Sequence, residues 1–138
     1  MRTAARREPV QLSMTGLEPE PGQVAWHDMR MLPMGEIHER VLVWHRLQGI
    51  LIMEAGSLAW HARHGANVVA WARLPDLRWD GWVPSRARLP RRADEDGHKC
   101  LMAYDMLEGP RLANRHQVIE DAGQLAWWAR TPEGPEWL

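Results

Sequence analysis

The sequence predicts a mainly β protein, with α+β as the alternative, built from two tandem antiparallel sheets that pack as a pseudo-dimer. Three observations predict it. First, Glu54 to Arg63 reads EAGSLAWHAR and Asp121 to Arg130 reads DAGQLAWWAR, with seven of ten positions identical. A match of that density in one short chain points to internal duplication. Second, Leu32-Pro33 recurs as Leu89-Pro90 at a spacing of 57, each pair preceded by a Trp, Trp26 or Trp82. Third, the apolar segments are short and bounded by Gly, Asn and Pro, which favours strands joined by turns over long helices. In 138 residues two independent units would each be marginal, so the copies are expected to share one core.

Taken in order, residues 1–24 form a polar N-terminal tail, with EPEPG at Glu18 to Gly22, expected to be mobile until it nears Trp26. The first repeat spans 25–77. Arg40 to His45 (RVLVWH) is rich in β-branched residues and reads as a strand. Arg46 to Gly49 reads as a turn, and Ile50 to Met53, Leu58 to Ala62 and Val68 to Arg73 as three further strands of a meander. A helical alternative exists because Ile37, Val41 and Trp44 fit one face. The second repeat spans 78–138. Lys99 to Asp105 (KCLMAYD) stands where RVLVWH stood, with Tyr104 on Trp44 at an offset of 60. The three extra residues fall in the charged loop Arg91 to His98, where insertion is cheap.

The closing segment admits two registers. Trp127 on Trp60, at 67, has more identities, whereas Trp128-Ala-Arg-x-Pro on Trp71-Ala-Arg-x-Pro, at 57, preserves the length of the unit. The second is the architectural expectation, because a unit should end where its sheet ends.

The ordered pattern of Trp, Leu-Pro, a VLVW-like strand and a closing Trp with Pro resembles a phage and prophage family, domain of unknown function 551. Trp82-Val-Pro-Ser-Arg-Ala-Arg-Leu-Pro90 carries the opening, and Trp26 to Pro33 carries it one residue shorter. Val68 to Pro75 and Trp128 to Pro135 carry the close, although Thr131 departs from the pattern's Leu. The resemblance covers 25–137 as two copies and implies a phage or mobile-element origin, with no activity attached.

For function, the net charge of −1 supplies no global attraction to nucleic acid or anionic membrane. The arginines of MRTAARREPVQ have no apolar segment behind them, so no signal peptide is expected, and no run reaches the length of a membrane span. The expectation is a protein of the bacterial host cytoplasm. Cys100 is the only cysteine and lies in an apolar strand, as a packing residue would. Asp94, Asp96 and His98 alternate on one loop, and His61 and His64 are two apart, but neither set has a second ligand pair at metal spacing. No metal and no cofactor are expected, and no nucleophile elbow, phosphate loop or metalloprotease helix is present.

Trp44, Trp60, Trp71, Trp127 and Trp128 lie in apolar runs and are expected in the core. Trp26, Trp79, Trp82 and Trp137 flank turns and are the candidates for exposed stacking. Arg86, Arg88, Arg91 and Arg92, close to Trp79 and Trp82, are the candidates for contact with an acidic partner, with Asp94, Glu95 and Asp96 as internal counter-charges. The leading expectation is a non-catalytic phage accessory protein that binds and inhibits a host protein, a defence component among the candidates. The rivals are a binder of a nucleotide or sugar held against Trp, and an Arg-dependent nucleic-acid binder.

Overall fold

The computed structural model describes residues 22–35, 37–65 and 67–138. The tail expected over 1–24 lies, for 1–21, outside the described residues. The first unit runs β1 (His27–Asp28), β2 (Arg40–His45), β3 (Gly49–Glu54), α1 (Ala55–His64) and β4 (Val68–Arg73). The second runs β5 (Val83–Pro84), a 3-10 turn (Arg92–Asp94), β6 (Leu101–Asp105), β7 (Gly109–Ala113), α2 (Arg115–Glu120) and β8 (Leu125–Arg130). Each unit forms a four-stranded antiparallel sheet, in the orders β1-β4-β2-β3 and β5-β8-β6-β7. The mainly β expectation is met, and the two sheets have the same topology.

The units agree down to their irregularities. The β2–β4 register slips between Trp44 and His45, and the β6–β8 register slips at the matching place, between Tyr104 and Asp105. Both hairpins reverse on a glycine with positive φ, Gly49 at 75° and Gly109 at 84°. Both turns are held from their first residue: Asp105 Oδ1 accepts from the amides of Leu107 and Glu108, and His45 Nδ1 accepts from those of Leu47 and Gln48. Two backbone donors on His45 Nδ1 place the ring proton on Nε2.

β2 is apolar without alternation because both of its faces are covered. Val41 and Val43 pack with Leu58 of α1, Val68 and Trp71, whereas Leu42 points to the opposite side. β6 repeats this, with Leu101 and Ala103 packing with Val118 of α2, Leu125 and Trp128, and Met102 facing the other way. A central cluster then joins the equivalent residues Leu42 and Met102, and Ala72 and Ala129, one from each unit. The layers are therefore helix, sheet, sheet, helix, and the two units meet through the same face.

Reciprocal polar contacts lock that face. Trp26 donates Nε1–H to Glu133 O at 2.8 Å, where the second unit ends, and Trp82 donates to Asp76 O at 2.9 Å, where the first ends. Trp26 meets Trp44 edge-on at 6.2 Å, and Trp82 meets Tyr104 edge-on at 5.7 Å. Arg40 Nη2 donates to Glu108 O at 2.9 Å in the second hairpin, and His98 Nε2 donates to Leu47 O at 3.0 Å in the first.

The meander expectation needs correction in two places: β4 does not lie beside β3 but crosses over to pair with β2, as β8 does with β6, and one expected strand is a helix. Leu58 to Ala62 is not a strand but the middle of α1. The near-identical decapeptides thus fold differently: Glu54–Arg63 is a strand end and a helix, and Asp121–Arg130 is a turn and strand β8. Their surroundings decide this. The first turn of α1 is met by the loop before β2, with Ala55 N–H donating to Glu39 O and Gly56 N–H to Ile37 O. At the other copy, Leu125 to Arg130 lies between β5 and β6 and completes ladders on both sides. The architectural register is the structural one, since β4 maps onto β8 at 57. In both, the equivalent tryptophan reaches back to the residue before Leu-Pro, Trp71 Nε1 to Met31 O at 2.6 Å and Trp128 Nε1 to Arg88 O at 2.7 Å. Trp60, expected in the core, is instead 56% exposed on α1.

Candidate functional site

The eight residues singled out by sequence fall in three places. Trp26, Trp79 and Trp82 belong to the frame between the sheets. Each is half-buried with its indole N–H bonded to a backbone carbonyl, that of Trp79 to Gln23 O at 2.9 Å. The Trp79 ring lies so close to Gly22 and Gly81 that neither position has room for a Cβ. Trp137 is exposed. Arg86, Arg91 and Arg92 are exposed near the second unit's opening, but Arg88 turns inward, its guanidinium 5.1 Å from the centre of the Trp128 ring.

Arg88 turns because Asp94 is buried. The Asp94 carboxylate accepts from Arg88 Nη1 and Nη2 at 3.1 and 3.2 Å, from the Arg91 amide at 2.8 Å and from Arg130 Nε at 3.0 Å. Burial alone raises such a carboxyl, but the bonds from Arg88, the Arg91 amide and Arg130 outweigh it and hold Asp94 below the usual carboxylate range. The first unit does the same job at the surface, with Arg73 (equivalent to Arg130) paired to Glu39 at 2.7 Å. This centre is structural: it ties the long loop of the second unit to β8.

The other titratable residues of that loop are occupied in the same way. Asp96 accepts from the His98 and Cys100 amides and from Thr131 Oγ1, and His98 grips the first hairpin. Burial, with Asp96 nearby, pushes the Cys100 thiol up, so the neutral form dominates at physiological pH. His61 and His64 pack on the Trp60 ring at 5.0 Å each, the first edge-on and the second stacked. Among the described residues no group of three His, Cys, Asp or Glu could hold a metal, and no helix is long and apolar enough to cross a membrane.

Two surfaces stand out among the described residues. One is a ridge on the outer face of the first unit. Gly56 N–H donates to Ile37 O, and a Cβ on Gly56 would sit 3.0 Å from Ile37 Cβ, so Ile37 lies directly on the helix. Trp60 follows one turn later and His64 one turn after that, on the same side. Ile37 and Trp60 are both largely exposed, as are Met31 and Met34 on the loop leading to them. Sequence reasoning missed the ridge because it read Leu58 to Ala62 as a strand. Composition offered no sign of it: Ala55–His64 contains no β-branched residue, but neither does strand β8, Leu125–Arg130.

The second surface is a groove of about 210 Å³ where the chain enters the first unit and leaves the second. Trp26 and Trp137 stand on its walls with Glu133 and Glu136, and Gln23 lines the entry side. Gly134 lies over the Trp44 ring, where a Cβ would come within 2.9 Å, so its missing side chain lets the closing segment lie against that indole. Of the eight sequence-derived residues, the structure brings Trp26 and Trp137 together here and keeps the exposed arginines elsewhere.

No family model, curated protein or solved structure matches this chain.

Proposed function

We propose that the chain is a non-catalytic binding protein that acts by covering a surface of another protein, and, following the phage-type motif, that its target is a host protein whose activity it inhibits. The observation that supports this most is the Ile37–Trp60 ridge. A fold this small keeps most of its large side chains inside, yet the Trp60 indole on α1 and Ile37 on the loop that bonds to its first turn are both exposed, with Met31 and Met34 exposed on the same loop. Exposed apolar groups of this kind mark interaction surfaces, and Trp is enriched among the residues that dominate binding energy. The ridge has no equal in the second unit, whose helix α2 is only six residues long. Duplication provided two copies, and only one has the ridge.

The test is comparative capture from host lysate, with the full chain as bait beside Trp60→Ala and Ile37→Ser variants. The expected result is a protein retained by the wild type and lost with both variants, while their melting temperatures stay within about 2 °C of wild type, as for surface changes. A partner retained equally by all three, or none at all, overturns the reading.

A further inference from the structure

The pseudo-symmetry of the fold shows what the groove beside Trp26 lacks. Trp26 and Trp82 are equivalent, each bonded through Nε1 to the end of the opposite unit. Trp82 has two aromatic neighbours: Tyr104, and Trp79 edge-on at 5.3 Å. Among the described residues Trp26 has only the counterpart of the first, Trp44. Among the described residues, no ring stands beside Trp26 as Trp79 stands beside Trp82. Trp137, which follows the unit's end much as Trp79 follows Asp76, also lines the groove, makes no ring contact with Trp26 and is 53% exposed.

The shape of the missing group is therefore planar, and the walls add its charge. Glu133 and Glu136 line the groove, and no described cation is bonded to either carboxylate. A flat group between indoles and beside two carboxylates is best matched by a guanidinium. It stacks on an aromatic face as a cation and donates to carboxylate oxygens in its own plane. We infer that the groove takes an arginine side chain presented by the protein partner. The occupant is a partner's arginine rather than an aromatic residue, because an aromatic ring would bury beside two unpaired carboxylates with nothing to offset their desolvation.

The inference rests on the reading of the chain as a protein binder, but the two fail separately. Capture lost with Trp60→Ala reports on the ridge, whereas the titration below reports on the groove alone. N-acetyl-arginine amide is added to the full ¹⁵N-labelled chain while the indole N–H signals are followed, with Trp137→Phe assigning one of them. N-acetyl-citrulline amide (planar, neutral) and N-acetyl-lysine amide (charged, not planar) serve as comparisons. The expected result is saturable movement of the Trp26 and Trp137 signals at millimolar arginine amide, weaker with both comparisons. Affinity should fall about tenfold in Glu133→Gln/Glu136→Gln, whose substitutions are at the surface and leave the other indole signals in place. No movement, equal response to citrulline, or indifference to the double substitution overturns the proposal. So does movement of the same two signals on replacing Arg2, Arg6 and Arg7 with Ala without ligand, because the chain's own arginines would then be the occupant.

Discussion

Replacing Asp94 with Asn keeps the size of the side chain and removes its charge, so the outcome isolates what the buried carboxylate contributes. Its side chain has no exposed surface, whereas those of Arg88 and Arg130 are each 23% exposed. Breaking a buried ion pair by removing one partner costs about 3–5 kcal/mol, mainly because the remaining charge is left uncompensated. Here the two arginines can regain part of their hydration, and the Asn oxygen can still accept one bond, so the lower end applies, about 3 kcal/mol. For a chain of this length that is a fall in melting temperature of roughly 10 °C. The surface pair Glu39–Arg73, with side chains 41% and 49% exposed, is the internal control. Glu39→Gln should cost less than about 1 kcal/mol, although the arginine it holds is equivalent in the fold.

Thermal and urea unfolding followed by circular dichroism measures both variants. The pH dependence gives a second reading. A carboxyl held below its unfolded value stabilises the fold at all pH values above that unfolded value, near 4, and the stabilisation is lost as pH falls through the folded one. The wild type should therefore lose its advantage over Asp94→Asn as the pH is taken below about 4, and keep it unchanged from 5 to 8. A melting temperature for Asp94→Asn within 2 °C of wild type at pH 7, or a difference that grows as pH falls, would refute the role assigned to the buried carboxylate.

Two further outcomes follow from the paired geometry. Gly49→Ala and Gly109→Ala both force a side chain into positive φ, at a cost of about 1 kcal/mol or more each. The first should be clearly worse, because its Cβ would fall 2.8 Å from His98 Nδ1, while the second finds nothing closer than Arg40 Nη2 at 3.7 Å; equal losses in urea unfolding would contradict the His98 clasp. The triple variant Glu54→Asp, Ser57→Gln, His61→Trp writes the second decapeptide into the first position. It should retain α1 and the wild-type far-ultraviolet spectrum; conversion of helix to strand signal would mean that local sequence, not its neighbours, decides the element.

How much could be read in advance differs between the fold and its surfaces. The duplication, the offset of 57 between β4 and β8 and the offset of 60 between β2 and β6 are all legible, because strands of one module keep their apolar runs and their Leu-Pro punctuation. The arginine at 88 could not be separated from its neighbours at 86, 91 and 92, since nothing in the spacing tells which guanidinium a buried aspartate draws inward. The groove had two of its seven lining residues named, Trp26 and Trp137, but not Glu133 or Glu136. Those residues are over a hundred positions from Trp26 and become neighbours only when the units exchange their ends.

The sequence by itself determined that the chain would be mainly β and built of two similar sheet units, because both halves spell the same short apolar runs between the same turn residues. Tertiary structure alone decided the state of the repeated decapeptide. All seven shared residues are helix where a loop meets the helix amides, whereas in the second copy five of them are strand, flanked by two open ladders, and Ala122 and Gly123 form the turn before it. It also decided which tryptophans are frame and which are surface. The strand indoles Trp71 and Trp128 are buried on the faces that α1 and α2 cover, whereas Trp60, on α1 itself, stands in water.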